Sequence, residues 1–288
     1  MSIKAIVSVG IPFFNCEEFL EDAILSVINQ SFKNWELILL DDGSSDASLS
    51  IAKKFLYDSR VSVISDGINK GLPSRLNELV SLSKGKYFCR MDSDDIMMIN
   101  RLSLQVSFLE QNTKVDVVGS SAFSIDRSNN IIGFKEGDTD LKNKNPFKDS
   151  IFIHPTVLGK LNWFIANPYN PKFTRMEDYE LWIRTYSMSN FEIINEPLLF
   201  YREIGVPVFK KYCKTQLQKK DYIIENDKLT LYNKVIFSMQ LFFKILIYFI
   251  LTCLNLTDKL IIRRSRRISD EEKNRALVDL SHSVKRVF

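Results

Sequence analysis

The first third of the chain alternates between two kinds of apolar pattern. Ala5 to Ile11 (Ala-Ile-Val-Ser-Val-Gly-Ile) is a continuous β-rich run, which predicts a buried strand ended by Pro12. Leu20, Ile24, Val27 and Ile28 then recur at helical spacing and give one apolar face. Asn15 stands where it can cap that helix, with Glu18 three positions on in capping-box spacing. Trp35 to Leu40 predicts a second strand. It breaks into Asp41-Asp42-Gly43-Ser44-Ser45-Asp46, a turn cluster that can also cap a helix running to about Leu56. Val61 to Ser65 predicts a third strand, and Leu72, Leu76, Leu79 and Val80 mark a further helix. The run Gly85 to Arg90 is mostly apolar or aromatic and predicts a fourth, central strand. A helix carrying Leu102, Val106 and Leu109 follows Asp95.

This alternation implies a mainly parallel sheet covered by helices on both faces. In such sheets ligands bind beyond the carboxyl ends of the strands. The polar clusters fall at those ends: Pro12 to Asn15, Asp41 to Asp46, and Asp92 to Asp95. Three carboxylates within four positions repel one another unless a cation sits among them. Oxygen-only ligation suits a hard ion, Mg²⁺ or Mn²⁺. The competing reading is that Asp94 or Asp95 caps the helix that follows. The convergence of three clusters on one crevice favours a ligand site.

The second half is more mixed. Residues 126–150 read as a hairpin turn and a mobile loop. Ile151 to Leu158 predicts a strand interrupted at His154-Pro155, hence at a sheet edge or end. Phe173 to Arg184 reads as a loop feeding a helix. Val235 to Leu256 is then about as long as one bilayer span, interrupted by Gln240 and Lys244. Lys210, Lys211, Lys214, Lys219 and Lys220 precede it, and Arg263, Arg264, Arg266 and Arg267 follow. A core helix, a spanning helix and an interfacial helix compete. Basic flanks suit anionic lipid, and a mid-segment lysine is tolerated at an interface but costly at a bilayer centre. The expectation is peripheral attachment to the membrane surface.

Composition narrows the classes further. Of 288 residues, 45% are hydrophobic and 26% charged, as in a globular protein, and a net charge of +4 is too small to argue for nucleic acid. Cys16, Cys89, Cys213 and Cys253 form no CxxC, which fits a reducing compartment without a disulfide framework. Two histidines, His154 and His282, exclude a His-rich metal centre. No apolar signal-peptide core follows Lys4. The expected location is therefore cytoplasmic, on the inner face of the plasma (inner) membrane.

The ordered series Val7-Ser8-Val9-Gly10-Ile11-Pro12-Phe13-Phe14-Asn15, Asn29-Gln30-Ser31-Phe32, Asp41 to Asp46, Asn69-Lys70-Gly71 with Arg75 and Asn77, and Met91 to Asp95 resembles the nucleotide-binding half of family 2 glycosyltransferases. His154-Pro155-Thr156 and Glu177 to Trp182 extend the resemblance over roughly the first 200 residues. It implies a GT-A fold over residues 1–207, with a nucleotide-sugar half to about residue 120, an acceptor half beyond it, and a helical, basic and apolar region over 208–288. It implies an inverting, metal-dependent transfer from a nucleotide-diphosphate sugar, most simply a UDP-sugar, to a glycan or lipid-linked acceptor in surface-polysaccharide synthesis.

By the same resemblance Asp42 reads the base and Phe14 stacks on it where relatives carry a Tyr. Pro12, Asn15, Ser93 and His154 line the donor site, and Lys70 and Arg75 suit the diphosphate or ribose. Asp94 touches the metal, with Asp92 beside it. Asp178 is the base, and Glu177 assists it or binds acceptor. Two other classes compete. A sugar-1-phosphate nucleotidyltransferase usually needs a Gly-rich, Arg-containing phosphate loop, absent between Val9 and Asn15. A non-catalytic membrane-bound scaffold has no need of Asp92, Asp94 and Asp178 together.

Overall fold

A computed structural model describes residues 6–285 apart from residue 149, residues 204–208, residue 228, residue 255 and residues 257–265. Strands β1 (Val7–Phe13), β2 (Trp35–Asp41), β3 (Val61–Ser65) and β4 (Tyr87–Arg90) lie parallel in the order β3-β2-β1-β4. Their residues alternate between the faces as the period of a strand requires. Val7, Val9, Ile11, Leu37 and Leu39 pack with helices α1 (Leu20–Ile28) and α4 (Arg101–Gln111). Ile38, Leu40 and Phe88 pack instead with α3 (Leu72–Leu82) and α5 (Leu161–Ala166) on the other side. Each such fully buried aliphatic side chain contributes about 1.5–3 kcal/mol. The short helix α2 (Ser48–Lys53) covers the far end of the first face.

Beyond β4 the same sheet becomes mixed. β8 (Leu158–Lys160) runs antiparallel to β4 and to β6 (Val117–Ile125), and β6 pairs in parallel with β9 (Phe191–Arg202). β5 (Ile96–Met97) closes the edge against β9, and β7 (Ile131–Lys135) makes a hairpin with β6. β6 crosses the expected boundary near residue 120, so both halves share one continuous sheet.

Several local expectations are corrected. β1 does not stop at Pro12 but runs through Phe13. Beyond Gly10 it pairs only with β2, so the missing Pro12 N–H leaves no gap toward β4. Asn15 caps nothing: α1 begins at Leu20 with no side-chain cap, and the Asn15 side chain accepts from Ser45 N–H at 2.8 Å. The strand placed at Ile151 to Leu158 is instead a 3-10 turn at His154–Thr156, with the strand beginning at Leu158. β7 lies in a stretch read as loop, and β9 was not anticipated at all.

Helix α6 (Glu177–Thr185) precedes β9, and the tail then forms α7 (Phe209–Glu225), α8 (Leu231–Cys253) and α9 (Asp270–Ser283). α7 and α8 are an antiparallel pair. Tyr212 stacks on Tyr248 at 4.0 Å at one end, and Ile223 meets Phe237 and Leu241 at the other. α9 opens with a capping box between Ser269 and Glu272. It returns to the sheet, burying Ala276 and Leu280 against Ile96, Phe123, Phe134 and Phe200. Asn29 Nδ2 donates to the carbonyls of Ser283 and Lys285. Arg263 and Arg264 lie outside the described residues. Arg266, read as lipid-facing, pairs with Glu272 at 2.8 Å and lies over the Phe134 ring.

Candidate active site

β4 delivers its chain to an acidic turn. Asp92, Asp94 and Asp95 each offer a carboxylate oxygen, and these lie within 4.8 Å of one another. None caps α4, which starts six residues later at Arg101, after β5. Burial, then the Asp92 charge, pushes the Asp94 carboxyl up to about 6. Burial and both neighbouring carboxylates hold Asp95 well above the usual range. Asp95 Oδ1 accepts from Arg202 N–H at 2.8 Å, while its buried Oδ2 has no hydrogen-bond partner. A crowded all-oxygen donor set with one orphaned buried oxygen fits a hard divalent cation.

Buried arginines brace this turn from below. Arg90 pairs with Asp92 at 2.5 Å. The Arg202 Nε–H donates to the Asp94 carbonyl at 2.6 Å, and the Arg101 guanidinium donates to the Arg90 carbonyl at 3.1 Å. These contacts fix the backbone that aims the carboxylates.

An open crevice of about 470 Å³ lies above the acidic turn, lined by Phe14, Asn15, Cys16, Asp46, Ser93, Asp94 and Arg127. It gathers three of the expected donor-site residues, Phe14, Asn15 and Ser93, and the expected metal ligand Asp94. Phe14 presents its ring to solvent there. Asn15 adopts a positive φ of 47° and latches the loop after β1 to the loop after β2. The Cys16 thiol donates to the Ser93 carbonyl, and burial pushes its pKa up to about 11, so it stays neutral. Pro12 is buried within the ladder below and offers the crevice no surface.

Asp42 sits just past β2, buried, and its carboxylate is already engaged. It accepts from Lys70 N–H at 2.7 Å, from Gly71 N–H at 3.1 Å and from Arg75 Nε–H at 2.9 Å. Gly71 reaches this position with φ of 82°, a conformation open to glycine, and starts α3. Arg75 was expected at the diphosphate. Its side chain has no exposed surface and is spent on Asp42, Asp66 and Glu78, so it positions Asp42 rather than reaching a ligand. Lys70 is half exposed and pairs with Asp66 at 2.6 Å.

A second acidic pair faces the first across Arg90. Glu177 opens α6 in a buried position, where burial and then the Asp178 charge push its carboxyl up to about 7. Asp178 is half-buried, accepts from Tyr179 N–H at 2.7 Å, and lines a cavity of about 210 Å³. His154 lies 3.9 Å from Glu177 and exchanges a hydrogen bond with the Tyr169 hydroxyl at 3.0 Å. Burial, reinforced by Arg90, keeps its imidazole neutral.

Arg127, Arg202 and Tyr169 were missed. Arg202 ends β9, so no reading without that strand could place it. Arg127 sits in the turn between β6 and β7, which the sequence did read as a hairpin turn, but nothing local showed that it would pair with Glu18 at the crevice rim.

A mixed sheet whose parallel half ends in an acidic turn defines a fold of the GT-A type. The profile of "Glycosyl transferase family 2" matches residues 8–188, and the chain belongs to that family. It is 35% identical over 185 residues to the "Putative glycosyltransferase EpsE" of Bacillus subtilis, covering 62% of this chain and 66% of that one. It is 30% identical over 190 residues to the "UDP-Glc:alpha-D-GlcNAc-diphosphoundecaprenol beta-1,3-glucosyltransferase WfgD" of Escherichia coli, covering 66% and 73%. Among solved structures, S. aureus TarS 1-349 in complex with UDP-GlcNAc superposes with a TM-score of 0.63 at 16% identity, covering 97% of this chain and 81% of that one. The fold is therefore GT-A-like and the protein a glycosyltransferase.

Proposed function

We propose that this enzyme transfers a sugar, with inversion, from a nucleotide-diphosphate sugar to a hydroxyl of a lipid-linked glycan acceptor. The observation that carries the reading is the pair of acidic groups facing one another across Arg90, Asp92-Asp94-Asp95 at the crevice and Glu177-Asp178 opposite. The donor lies in the crevice with its base against Phe14 and Asp42. Asp42 Oδ1 is taken by Arg75 and the Lys70 N–H, while Oδ2 accepts only from Gly71 N–H and keeps a lone pair for a base N–H. Asp94 and Asp92 would hold Mg²⁺ or Mn²⁺. Such an ion neutralises the charge of the departing diphosphate.

Asp178 takes the proton of the acceptor hydroxyl. The freed oxygen bonds to the anomeric carbon as the bond from that carbon to the diphosphate oxygen breaks, and the nucleoside diphosphate leaves with that electron pair. Glu177, with its carboxyl raised to about 7, is about half protonated near neutrality and so adds less negative charge beside the base than an ordinary glutamate. Neutral His154 lies buried beside Glu177, held by the Tyr169 hydroxyl. The UDP base and the diphosphate-lipid acceptor follow from the likeness to WfgD, whose name carries both.

The tail suits the inner membrane surface. α8 has 23 residues and a mean hydropathy of 2.0 over its most apolar window, of which 17% is buried. At 1.5 Å per residue it is long enough to cross, at about 35 Å. Its flanks argue otherwise. α7 packs antiparallel along it, and residues 266–285 return to β7 and α1. A single crossing puts those flanks on opposite sides of the bilayer, although both dock on one body. α8 therefore lies in the interface.

The test is transfer measured on a panel of nucleotide sugars with and without Mn²⁺. Asp94→Asn is expected to lose Mn²⁺-dependent donor binding. Asp178→Asn is expected to keep donor binding and lose transfer by a factor of about 10²–10⁴. Wild-type transfer by Asp178→Asn places the base elsewhere.

A further inference from the structure

Two connected cavities lie between α6, α7 and α8. The larger, about 360 Å³, is lined by Lys148, Tyr179, Lys219, Leu241, Lys244 and Tyr248 among others. The smaller, about 210 Å³, shares Lys148, Tyr179 and Lys219 with it and continues to Asp178 and Trp182. Together they make one path from the apolar helix α8 to the carboxylate assigned as base.

Apart from Asp178 at its inner end, the charge along this path is positive. Lys148, Lys219 and Lys244 have no carboxylate within ion-pair distance among the described residues. Aromatic faces hold two of them in place: the Lys148 Nζ lies 5.4 Å from the Phe237 ring centroid and the Lys219 Nζ 4.3 Å from that of Tyr179. Such contacts orient an ammonium without neutralising it. Burial draws the Lys219 pKa down and Lys244 adds to the fall, while Asp178 opposes it. A cluster of like charges beside a half-buried lysine is relieved by an anion. Leu241 and Ile247 of α8 form the outer wall, and the helix continues outward with Phe242, Phe243 and Phe249 exposed. The ligand that fits has an anionic centre, an apolar tail on one side and a hydroxyl-bearing group on the other.

We infer that this paired cavity binds the diphosphate of the lipid-linked acceptor, held by Lys148, Lys219 and Lys244, with its tail along α8 and its sugar directed at Asp178. The inference rests on the lipid-linked acceptor proposed above. It explains why α8 and its lysine-bearing partner α7 pack beside the catalytic helix rather than at the donor crevice.

The experiment measures equilibrium binding of radiolabelled farnesyl diphosphate to the full chain in neutral detergent with MnCl₂, with UDP affinity determined on the same samples. Wild type is expected to bind the probe, with inorganic pyrophosphate competing weakly and farnesol not at all. The double variant Lys219→Gln/Lys244→Gln is expected to weaken it by about tenfold or more, with UDP affinity unchanged. Lys244 is exposed, so Lys244→Gln alone keeps the fold and is expected to show a smaller loss in the same direction. Unchanged affinity in both variants overturns the assignment. So does equal displacement by phosphatidylglycerol micelles, which marks a surface for bulk anionic headgroups. Absence of probe binding with UDP binding intact removes the cavity and leaves the donor reading standing; absence of UDP binding with the lysine effect intact does the reverse.

Discussion

Glu177 is the residue whose charge depends most on its surroundings. Its folded pKa of about 7 stands above its ordinary value of 4.5, with burial the main cause and Asp178 the next. The folded state therefore holds a proton that the unfolded chain releases between those values. This contribution to stability is complete below the ordinary value and is lost as pH rises through about 7. Glu177→Gln removes the dependence, and between about pH 5 and pH 8 it is expected to gain on wild type by roughly 1–3 kcal/mol in urea unfolding. His154 shifts the opposite way, but its causes, burial and Arg90, survive the substitution and cancel in the comparison. Arg75 makes the complementary case. Arg75→Met leaves Asp42 buried without its counter-charge and is expected to cost about 3 kcal/mol, measured the same way. Equal stability there would mean that the Asp42 contacts with Lys70 and Gly71 suffice alone. Asp42 itself stood out in the sequence because a strand ran straight into it. The role of Arg75 did not, because nothing local says that Asp66, nine residues earlier, and Glu78, three later, converge on it with Asp42.

Elements were legible where one period persisted. β1 to β4 and α1, α3 and α4 carry strand or helix patterns, and burial from both faces keeps β1, β2 and β4 mostly apolar, while the edge strand β3 is only partly buried. β9 was hidden because Asn195-Glu196-Pro197 interrupts its run. The pairing with β6 shifts register there, and the strand resumes as Leu198-Leu199-Phe200. β8 was misplaced because Pro155 starts a 3-10 turn and moves the strand beyond it. α8 appeared in the sequence as an apolar stretch, but which face it leaves bare was not readable without α7. That face carries Phe242, Phe243 and Phe249, whose exposure is 63%, 52% and 49%. Phe242→Glu/Phe243→Glu is expected to abolish sedimentation with anionic vesicles while leaving the melting temperature within about 2 °C, because the rings contact each other within α8 and belong to no buried core cluster. A large fall in melting temperature would show that these rings pack on protein.

At the scale of the molecule, the tail is a loop anchored at both ends rather than an appendage. Truncation after residue 207, where the sequence resemblance ends the GT-A domain, also removes α9. It uncovers Ile96, Phe123, Phe134 and Phe200, and it forfeits the burial of Leu280, worth about 1.5–3 kcal/mol. A chain in which residues 209–254 are replaced by a flexible linker keeps α9 docked. The two variants therefore part company: the excised chain is expected to melt near the wild-type temperature and bind UDP, and the truncated one to melt several degrees lower. Neither should sediment with vesicles, since both lack α8. The full chain should sediment and be released by carbonate, because a helix whose two flanks dock on one body cannot leave them on opposite sides of a bilayer. Retention through the carbonate wash would mean that α7 enters the membrane with α8 as a hairpin. The lysines of α7 would then have to reach headgroups or the acceptor diphosphate from within the bilayer.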